Sequence, residues 1–529
     1  MPNDCISYQD SGYFTPIMID YLNQKANLKP LYNRFPTLEN FKDQIVEKQK
    51  QFDNGNRNTL VRVLQQQYTA INSSDETKSN IAALKNDNTF TITTGHQLNL
   101  FTGPLYFLYK IISTVNLTKE LKTAYPDYNF VPIYWMATED HDFEEINYFN
   151  FRGKKFRWNK ETSGPVGRLD TEGLKELFGL FSAELGLGTD AEKLKKMFHE
   201  SYLAHDNLAD ATRFLANAIF GDSGLVIIDA DDAELKRAFI PFAKTELLQQ
   251  TSNKFVLDTI EQMSDYNIQV NPRDINLFYI TDALRERIVL VDGMYQVNNT
   301  TIQFSESDIL LELEKHPERF SPNVIMRPLY QEVILPNLCY IGGGGELAYW
   351  LELKSFFDSA NVTFPILLLR NSVLLATEKQ AQKADRLGLS WADLFSKQTD
   401  LANLKIKQLS EFPIDLSAQK ATLQKQFDDL YTIAKQTDQS FAGAVKAQEA
   451  KQIKGLEKLE KRLLKAQKRK HADELERITN LQNELFPNRS LQERQVNFAQ
   501  FYAEYGSAVL NQLFKQLKPL DNQFEIVIL

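Results

Sequence analysis

The sequence is poor in cysteine and histidine and lacks a long apolar run. Its 529 residues include 2 cysteines and 6 histidines. Cys5 and Cys339 stand far apart and in no motif, which argues against a disulfide framework and fits a reducing, cytoplasmic setting. The most apolar segment, from Phe364 to Leu369, is far shorter than the about 18 residues of a membrane-spanning helix. No basic segment followed by an apolar run opens the chain, so neither a secretory signal nor a membrane partner is predicted.

Positive charge is also in deficit. Lysine and arginine total 60 against 69 aspartates and glutamates, a net charge of −9 with a pI near 5.5. Such a balance is unlike that of a general polyanion binder, so no nucleic-acid partner is predicted. Hydrophobic residues make up 43% of the chain, as in ordinary globular proteins. The length exceeds the about 250–300 residues at which single cores stop growing, so at least two domains are expected.

Composition changes near residue 380. Before it, short β-branched runs alternate with helical stretches and with turns rich in glycine and proline. After it, glycine and proline become rare, and lysine, glutamine, glutamate and leucine dominate. This change predicts an α/β domain with a parallel sheet over residues 1–378 and a helical domain over residues 379–529.

The helical part has apolar residues at spacings of three and four, which place them on one narrow stripe. This stripe comprises Leu423, Phe427, Leu430, Ile433, Ile453, Leu456, Leu459, Leu463, Leu475, Ile478, Leu481 and Leu485. We interpret it as long helices folded into an antiparallel coiled coil through which two copies form a homodimer. The alternative is a plain helical bundle that packs on its own domain.

One βαβ unit can be traced closely in the α/β part. The alternating run Thr89–Thr94 predicts a strand, Gly95–Gly103 a turn, and the residues after Pro104 a helix. The apolar run Val131–Met136 predicts a second strand that is covered on both faces. Further strands are predicted at residues 225–229, 277–280, 288–291 and 364–369.

Two polar clusters follow these strands. In open parallel sheets, ligands bind beyond the carboxyl ends of the strands, where the strand order reverses. The Gly95-His96-Gln97 bend follows the first strand, and the run from Glu139 to Asp142 follows the second. A right-handed crossover brings both ends to the same edge of the sheet. We therefore expect the two clusters to face a common cleft.

Each cluster has more than one interpretation. Glu139, Asp140, His141 and Asp142 could orient an amine and take its proton, or could hold Mg²⁺ through oxygen ligands. The alternative is an acidic helix N-terminus, which the helix dipole favours. His96 could stabilise phosphate charge together with nearby backbone N–H groups, or could belong to a structural turn.

Other stretches also suggest a ligand site. Arg327 lies in the segment Ser321–Pro328, and the run Gly342–Gly345 opens a predicted helix whose backbone a ligand could approach closely. Arg370 follows a predicted strand and could bind a carboxylate with two hydrogen bonds. A flexible turn and a surface salt bridge are the respective alternatives. Neither the phosphate-loop pattern nor the dinucleotide fingerprint is present, and no catalytic triad spacing appears.

With these motifs in view, the sequence resembles the BshC family, the cysteine-adding enzymes of bacillithiol biosynthesis. The segments that carry the resemblance are Thr94–Lys110, Ala137–Asn147, Ser163–Arg168, Ser321–Pro328, Gly342–Trp350, Leu491–Arg494 and Tyr505–Gly506. The resemblance implies a Rossmann-like core, similar to that of class I aminoacyl-tRNA synthetases, with inserted connecting segments near residues 150–221 and 230–321. It also implies a C-terminal antiparallel coiled coil that forms dimers.

The resemblance further implies a ligase that joins cysteine to the glucosamine amine of glucosaminyl-malate, producing a low-molecular-weight thiol. The carboxyl group must be activated, ordinarily by ATP, although the synthetase signatures His-x-Gly-His and Lys-Met-Ser-Lys-Ser are missing. The expected catalytic residues are Glu139, Asp140, His141 and Asp142. The expected substrate-binding residues are Gly95, His96, Gln97, Asn99, Thr102, Arg168, Asn323, Arg327, Gly343, Gly344, Glu346, Tyr349 and Arg370. No residue is assigned as a metal ligand.

Two other functions remain open on the sequence alone. One is an adenylyltransferase-like enzyme that acts on another small molecule. The other is a coiled-coil scaffold that senses a nucleotide through a degenerate Rossmann core.

Overall fold

A computed structural model describes residue 1 and residues 3–529 of the protein. The strands are β1 (Asp4–Ser7), β2 (Thr89–His96), β3 (Asn129–Met136), β4 (Tyr148–Phe151), β5 (Lys154–Arg157), β6 (Val226–Asp229), β7 (Leu277–Thr281), β8 (Leu284–Val291), β9 (Met294–Val297), β10 (Gln303–Phe304), β11 (Phe320–Pro322), β12 (Asn337–Gly342), β13 (Ile366–Leu369), β14 (Ser372–Ala376) and β15 (Gln523–Ile528).

The helices of the first part are α1 (Tyr8–Ser11), α2 (Pro16–Leu22), α3 (Leu38–Gln51), α4 (Asn54–Gln67), α5 (Asp75–Ala83), α6 (Tyr106–Ala124), α7 (Phe143–Ile146), α8 (Leu174–Leu185), α9 (Thr189–Phe198), α10 (Leu208–Phe220), α11 (Ala233–Arg237), α12 (Ile240–Gln249), α13 (Thr251–Ile260), α14 (Glu306–Lys315), α15 (Met326–Ile334), α16 (Gly344–Leu351) and α17 (Lys354–Ser359). Those that follow are α18 (Glu378–Arg386), α19 (Trp391–Phe395), α20 (Gln398–Leu409), α21 (Ser417–Ala434), α22 (Gln439–Lys470), α23 (Ala472–Leu485), α24 (Gln492–Gln495), α25 (Ala499–Tyr505) and α26 (Ala508–Gln516). Within the described residues, no helix is long and apolar enough to cross a membrane.

The central sheet is parallel and has the strand order β13-β12-β2-β3-β6. In chain order, β2, β3 and β6 follow one another toward one edge of the sheet. The next two strands of this sheet, β12 and β13, lie on the other side of β2. The strand order therefore reverses between β2 and β12, and a ligand crevice is expected beyond their carboxyl ends.

Alternation along the strands explains why helices cover both faces of this sheet. In β13, Ile366 and Leu368 belong to a buried cluster that includes Phe41 and Ile45 of α3. Leu367 of the same strand belongs to the main core on the opposite face. A strand with two buried faces is apolar throughout, which is the pattern that predicted it.

Several predicted boundaries were wrong by a few residues. The strand predicted at residues 364–369 begins at Ile366, and the strand predicted at residues 288–291 begins already at Leu284. The bend predicted at Gly95 and His96 is instead the end of β2, because both residues continue the parallel ladder with Trp135 and Met136.

Long excursions separate the strands of the central sheet. Between β3 and β6 lie the antiparallel hairpin β4-β5 and helices α8 to α10. Between β6 and β12 lies a second, antiparallel sheet of order β10-β9-β8-β7-β11. These excursions lie where the resemblance implied inserted connecting segments, and side chains of the second sheet line one cavity with those at the carboxyl ends of the first.

The C-terminal part contains the predicted antiparallel coiled coil. Helices α21 and α22 pair along their length, and Phe427, Ala434 and Val445 form a small buried cluster between them. The last strand, β15, was not predicted from the sequence. It pairs in parallel with β14 and antiparallel with β1, so both chain ends join a three-stranded sheet.

A buried ion pair joins α3 to α15 near the edge of the core. Lys48 Nζ lies 2.9 Å from Glu332 Oε2, and the two side chains are 2% and 0% exposed. Asn337 and Gln331 also donate to Glu332 Oε1. Burial raises the pKa of Glu332, and Lys48 partly offsets this effect.

The variant Lys48→Met removes the cation and leaves the Glu332 carboxylate buried without its charge partner. We expect a loss of about 3–5 kcal/mol in the free energy of unfolding, because an uncompensated buried charge is strongly destabilising. Urea unfolding followed by circular dichroism measures it. The double variant Lys48→Met/Glu332→Gln should recover part of the loss. A loss below about 1 kcal/mol, as for an exposed pair, would contradict this account.

Candidate active site

A cavity of about 1000 Å³ lies beyond the carboxyl ends of the central strands, at the point where their order reverses. Its walls come from the ends of β2, β3 and β12, from the start of α16 and from the antiparallel sheet. The sequence-predicted residues that line it are Gly95, His96, Gln97, Glu139, Asp140, His141, Asn323, Arg327, Gly343, Gly344, Glu346, Tyr349 and Arg370. The two polar clusters therefore face one cavity, as the strand ends predicted.

A direct hydrogen bond joins these two clusters. Gln97 Nε2 donates to Asp140 Oδ2 at 2.9 Å and to Glu145 Oε2 at the same distance. Asp140 Oδ1 accepts the backbone N–H of His141 at 2.7 Å. The Asp140 carboxylate is thus held at the cavity wall by neutral donors, and among the described residues no lysine or arginine lies within ion-pair distance of it.

Glu139 is held differently. Its Oε1 lies 2.6 Å from Lys236 Nζ, which also lies 2.8 Å from Asp231. Burial raises the pKa of Glu139, and the Lys236 ammonium opposes that rise. Asp142 does not line the cavity and is exposed. Since α7 begins only at Phe143, the acidic run precedes a helix of a single turn.

No cluster of three or more histidine, cysteine, aspartate or glutamate side chains in the described part of the chain has an arrangement that could hold a metal ion. The acidic run supplies separate contacts instead, because Glu139 faces Lys236 and Asp140 faces Gln97.

Arg327 supplies positive charge to the same cavity. Its guanidinium lies between the rings of Trp135, Tyr340 and Trp350, at 5.6 to 5.9 Å from their centroids. It donates to Gln331 Oε1 at 3.0 Å and to the hydroxyl of Tyr349 at 3.4 Å. It forms no ion pair with a carboxylate of the described chain, so its charge faces the cavity unneutralised.

Arg370 is buried at the end of β13, unlike the surface salt bridge that was the alternative. Its Nη2 donates to Glu493 Oε1 at 2.7 Å. Its Nε is buried and has no hydrogen-bond partner among the described residues. A Cβ atom added at Gly343 would lie 3.8 Å from this Nε, so the unpaired donor faces the glycine turn.

Internal contacts fix the glycine turn between β12 and α16. Glu346 accepts the backbone N–H of Gly343 at 2.8 Å and the hydroxyl of Tyr340 at 2.9 Å. Its carboxylate also pairs with Lys110 Nζ at 2.6 Å, and Lys110 donates to the carbonyl of Gly95 at 2.7 Å. Burial raises the pKa of Glu346, but Lys110 and these hydrogen bonds bring it below its usual value.

Asn323 has a similar anchoring role. Its side-chain oxygen accepts the backbone N–H groups of Ile325 and Met326, and its amide donates to Asn276 at 2.8 Å. It therefore shapes the start of α15, from which Arg327 projects.

Three predicted substrate-binding residues do not line the main cavity. Arg168 is held by Asp231 and Asp282, at 2.8 and 2.9 Å, because it connects two acidic loops. Asn99 and Thr102 line a separate enclosed space of about 10 Å³ with His96. Its volume is that of about one water molecule, too small for a substrate.

Other cavity residues were missed. They are Lys110 on α6, Arg494 on α24, and Arg273, Arg285, Arg287, Asn298 and Asn299 of the segment that contains the antiparallel sheet. A usable signal existed for Lys110, a charged residue within an otherwise apolar helix face. Arg285 and Arg287 alternate along β8, which indicates a shared face.

The cavity carries an excess of positive charge. Its lysines and arginines are Lys110, Arg273, Arg285, Arg287, Arg327, Arg370 and Arg494, and its carboxylates are Glu139, Asp140, Glu286 and Glu346. Seven cations against four anions favour an anionic ligand.

The fold and the cavity define a Rossmann-like protein with a charged ligand cavity at the switch point of its sheet. Residues 1–371 match the family model described as "Bacillithiol biosynthesis BshC, N-terminal Rossmann-like domain", and residues 373–529 match that described as "Bacillithiol biosynthesis BshC, C-terminal coiled-coil domain". The chain belongs to the BshC family.

Relatives along the whole chain agree with this assignment. A Flavobacterium johnsoniae protein is 68% identical and covers 100% of both chains. A Cytophaga hutchinsonii protein is 38% identical, covering 97% of this chain and 96% of its own. Both carry the name "Putative cysteine ligase BshC". The predicted family and fold class are confirmed, and a ligase is the class of enzyme that the sequence analysis expected.

The buried imidazole of His96 makes stability depend on pH. Burial and the nearby cations Lys110 and Arg370 hold the pKa of His96 well below 6.5, so the folded chain keeps it neutral. As pH falls through 6.5, the unfolded chain takes up a proton that the folded chain does not, and stability falls.

The variant His96→Gln removes this group. Between about pH 7 and about pH 5, the free energy of unfolding should fall less in the variant than in the wild type. The slopes of the two proteins against pH should differ by up to about 1.4 kcal/mol per pH unit. Urea titrations at matched pH values measure it. Equal slopes for both proteins would show that His96 does not account for acid sensitivity.

Proposed function

We propose that this protein is a cytoplasmic ligase of bacillithiol biosynthesis that joins the carboxyl group of cysteine to the glucosamine amine of glucosaminyl-malate. The observation that carries the proposal is the arrangement of the cavity. The guanidinium of Arg327, which has no ion pair with the described residues, and the unpaired Nε of Arg370 line the same cavity as the Asp140–His141 pair. Family membership narrows the chemistry to bacillithiol biosynthesis.

The malate part of the substrate has two carboxylates, which need positive donors. In this proposal, Arg327 and Arg370 Nε bind them, with backbone N–H groups of the Gly343–Gly345 turn close by. Arg327 suits this task because the neighbouring rings hold its guanidinium in place without neutralising its charge. The fixed geometry lowers the entropy cost of binding.

Amide formation requires a neutral amine and an activated carbonyl. Asp140, beside His141, takes the proton of the glucosamine ammonium, and the freed nitrogen attacks the activated carbonyl of cysteine. The activating group then leaves with the electron pair of the bond that breaks. Gln97 fixes Asp140 at the cavity wall, which keeps the proton acceptor in place.

ATP is the proposed source of activation, since its phosphates are anionic and the cavity has an excess of cations. In this proposal, Mg²⁺ enters with the nucleotide rather than as a ligand of the acidic run. Neither nucleic acid nor a membrane takes part.

Arg327→Met tests the substrate assignment. We expect kcat/KM for glucosaminyl-malate to fall by about 10- to 100-fold, because hydrogen bonds to a charged carboxylate are lost. Mass spectrometry of the bacillithiol formed from cysteine, ATP and glucosaminyl-malate measures the rates. Arg319→Met is a matched control, since Arg319 pairs with Glu312 away from the cavity. Absence of product from the wild type would refute the function, and an unchanged rate in Arg327→Met would refute the binding site.

The coiled coil is the proposed homodimer interface. Helices α21 and α22 expose the apolar side chains of Leu430, Ile433, Phe441 and Leu459 by 38% to 52%. Large exposed apolar side chains along one pair of helices are typical of an interaction surface.

The triple variant Leu430→Gln/Ile433→Gln/Leu459→Gln should be monomeric, because it removes most of this apolar surface. Light scattering on the purified chain gives the mass, with the wild type expected at twice the monomer mass. Lys451→Gln, an exposed substitution on α22, should leave the dimer intact. A dimeric triple variant would place the interface elsewhere.

A further inference from the structure

The antiparallel sheet contributes a charged side chain that contacts the acidic loop directly. Arg285 of β8 places Nη1 2.7 Å from Nδ1 of His141. A guanidinium group always carries its protons and can only donate. Nδ1 must therefore be the acceptor and carry no hydrogen. A neutral imidazole with a bare Nδ1 carries its proton on Nε2.

Other contacts hold Arg285 in this position. Its Nε donates to the hydroxyl of Ser321 at 3.2 Å, and its Nη2 lies 3.5 Å from the carbonyl oxygen of Pro322. Its guanidinium also lies 4.2 Å from the centre of the Phe278 ring. Other strands of the same sheet therefore fix the position of the Arg285 guanidinium, which donates to His141.

Burial and the charge of Arg285 keep His141 neutral near neutral pH. Asp140 and Asp142 of its own loop and Glu286 of β8 favour the imidazolium, while Arg285 disfavours it. Burial adds the largest contribution, and the pKa of His141 lies below 6.5. Near neutral pH, Nδ1 is occupied by Arg285 and Nε2 by its own proton, so neither nitrogen is free to accept a proton.

We propose that Arg285 is a positioning residue that holds His141 as the Nε2–H tautomer, so that His141 donates a hydrogen bond to the substrate. Within the proposed ligase reaction, on which this role rests, Asp140 is then the proton acceptor. The Nε2–H group stabilises the negative charge that develops on the carbonyl oxygen of the activated cysteine. The antiparallel sheet that carries Arg285 thus determines which nitrogen of His141, on a loop of the Rossmann core, carries the proton.

Nitrogen-15 NMR of the histidine-labelled full chain tests the tautomer without requiring activity. The chain has 6 histidines, and His141→Gln identifies the signal. We expect the wild-type signal to report a protonated Nε2 and a bare Nδ1, with titration below pH 6.5. Arg285→Met should mix the tautomers and raise the titration midpoint, because the donor is lost and the carboxylates remain.

Arg287→Met is the matched control. Arg287 lies on the same face of β8, also lines the cavity and has the same charge, but no contact joins it to His141 in the described structure. We expect it to leave the tautomer of His141 unchanged. A protonated Nδ1 in the wild type, or the same spectrum in Arg285→Met, would overturn the proposal.

Kinetics test the donor role. A glutamine amide can replace the Nε2–H donor but cannot act as a base, so His141→Gln should keep at least about 10-fold more kcat/KM than His141→Ala. Equal losses would overturn the donor role. If the wild type forms no bacillithiol, the ligase proposal fails, while the NMR measurement still decides whether Arg285 controls the tautomer.

Discussion

The buried ion pair between Arg370 and Glu493 is the interaction on which the site depends. Both side chains are almost fully buried, and their charged atoms lie 2.7 Å apart, across 123 positions of the chain. Glu493 also accepts the backbone N–H of Val373 at 3.1 Å and the hydroxyl of Ser372 at 3.3 Å. Breaking one partner of such a pair leaves a charge uncompensated, so the pair enforces one geometry. That geometry directs Arg370 Nε toward the glycine turn.

The C-terminal part of the chain is therefore more than a coiled coil. Beside Glu493, the side-chain amide of Gln492 accepts the backbone N–H of Leu375 and donates to its carbonyl, at 3.0 and 2.9 Å. These two hydrogen bonds pair backbone groups at the edge of β14 in the way that a neighbouring strand would. Strand β15 pairs with the other edge of β14 and with β1.

The sequence predicted those parts of the site that depend on local pattern. Strand β2 is an alternating run and β3 an apolar run, and a polar cluster follows each, so the rule for parallel sheets was sufficient to place His96, Gln97 and Asp140 near one another. The rule was insufficient for Glu493 and Arg285, because their partners are distant in sequence, by 123 and 144 positions. Arg168 shows the converse, since its charge fitted a substrate site but two acidic loops neutralise it. Pairing of buried charges is decided by tertiary structure.

This pairing also explains where a ligand belongs. Lys48, Lys236 and Lys110 are buried, and each has a carboxylate within 2.9 Å. Buried charge is costly unless it is paired, and these three ammonium groups are each paired with a carboxylate. At the cavity, the guanidinium of Arg327 lies between aromatic rings with no ion pair to the described residues, and Nε of Arg370 has no hydrogen-bond partner among them. A donor that the fold leaves unpaired at such cost is stabilised when an anion binds, which is the physical reason to place carboxylates of the substrate there.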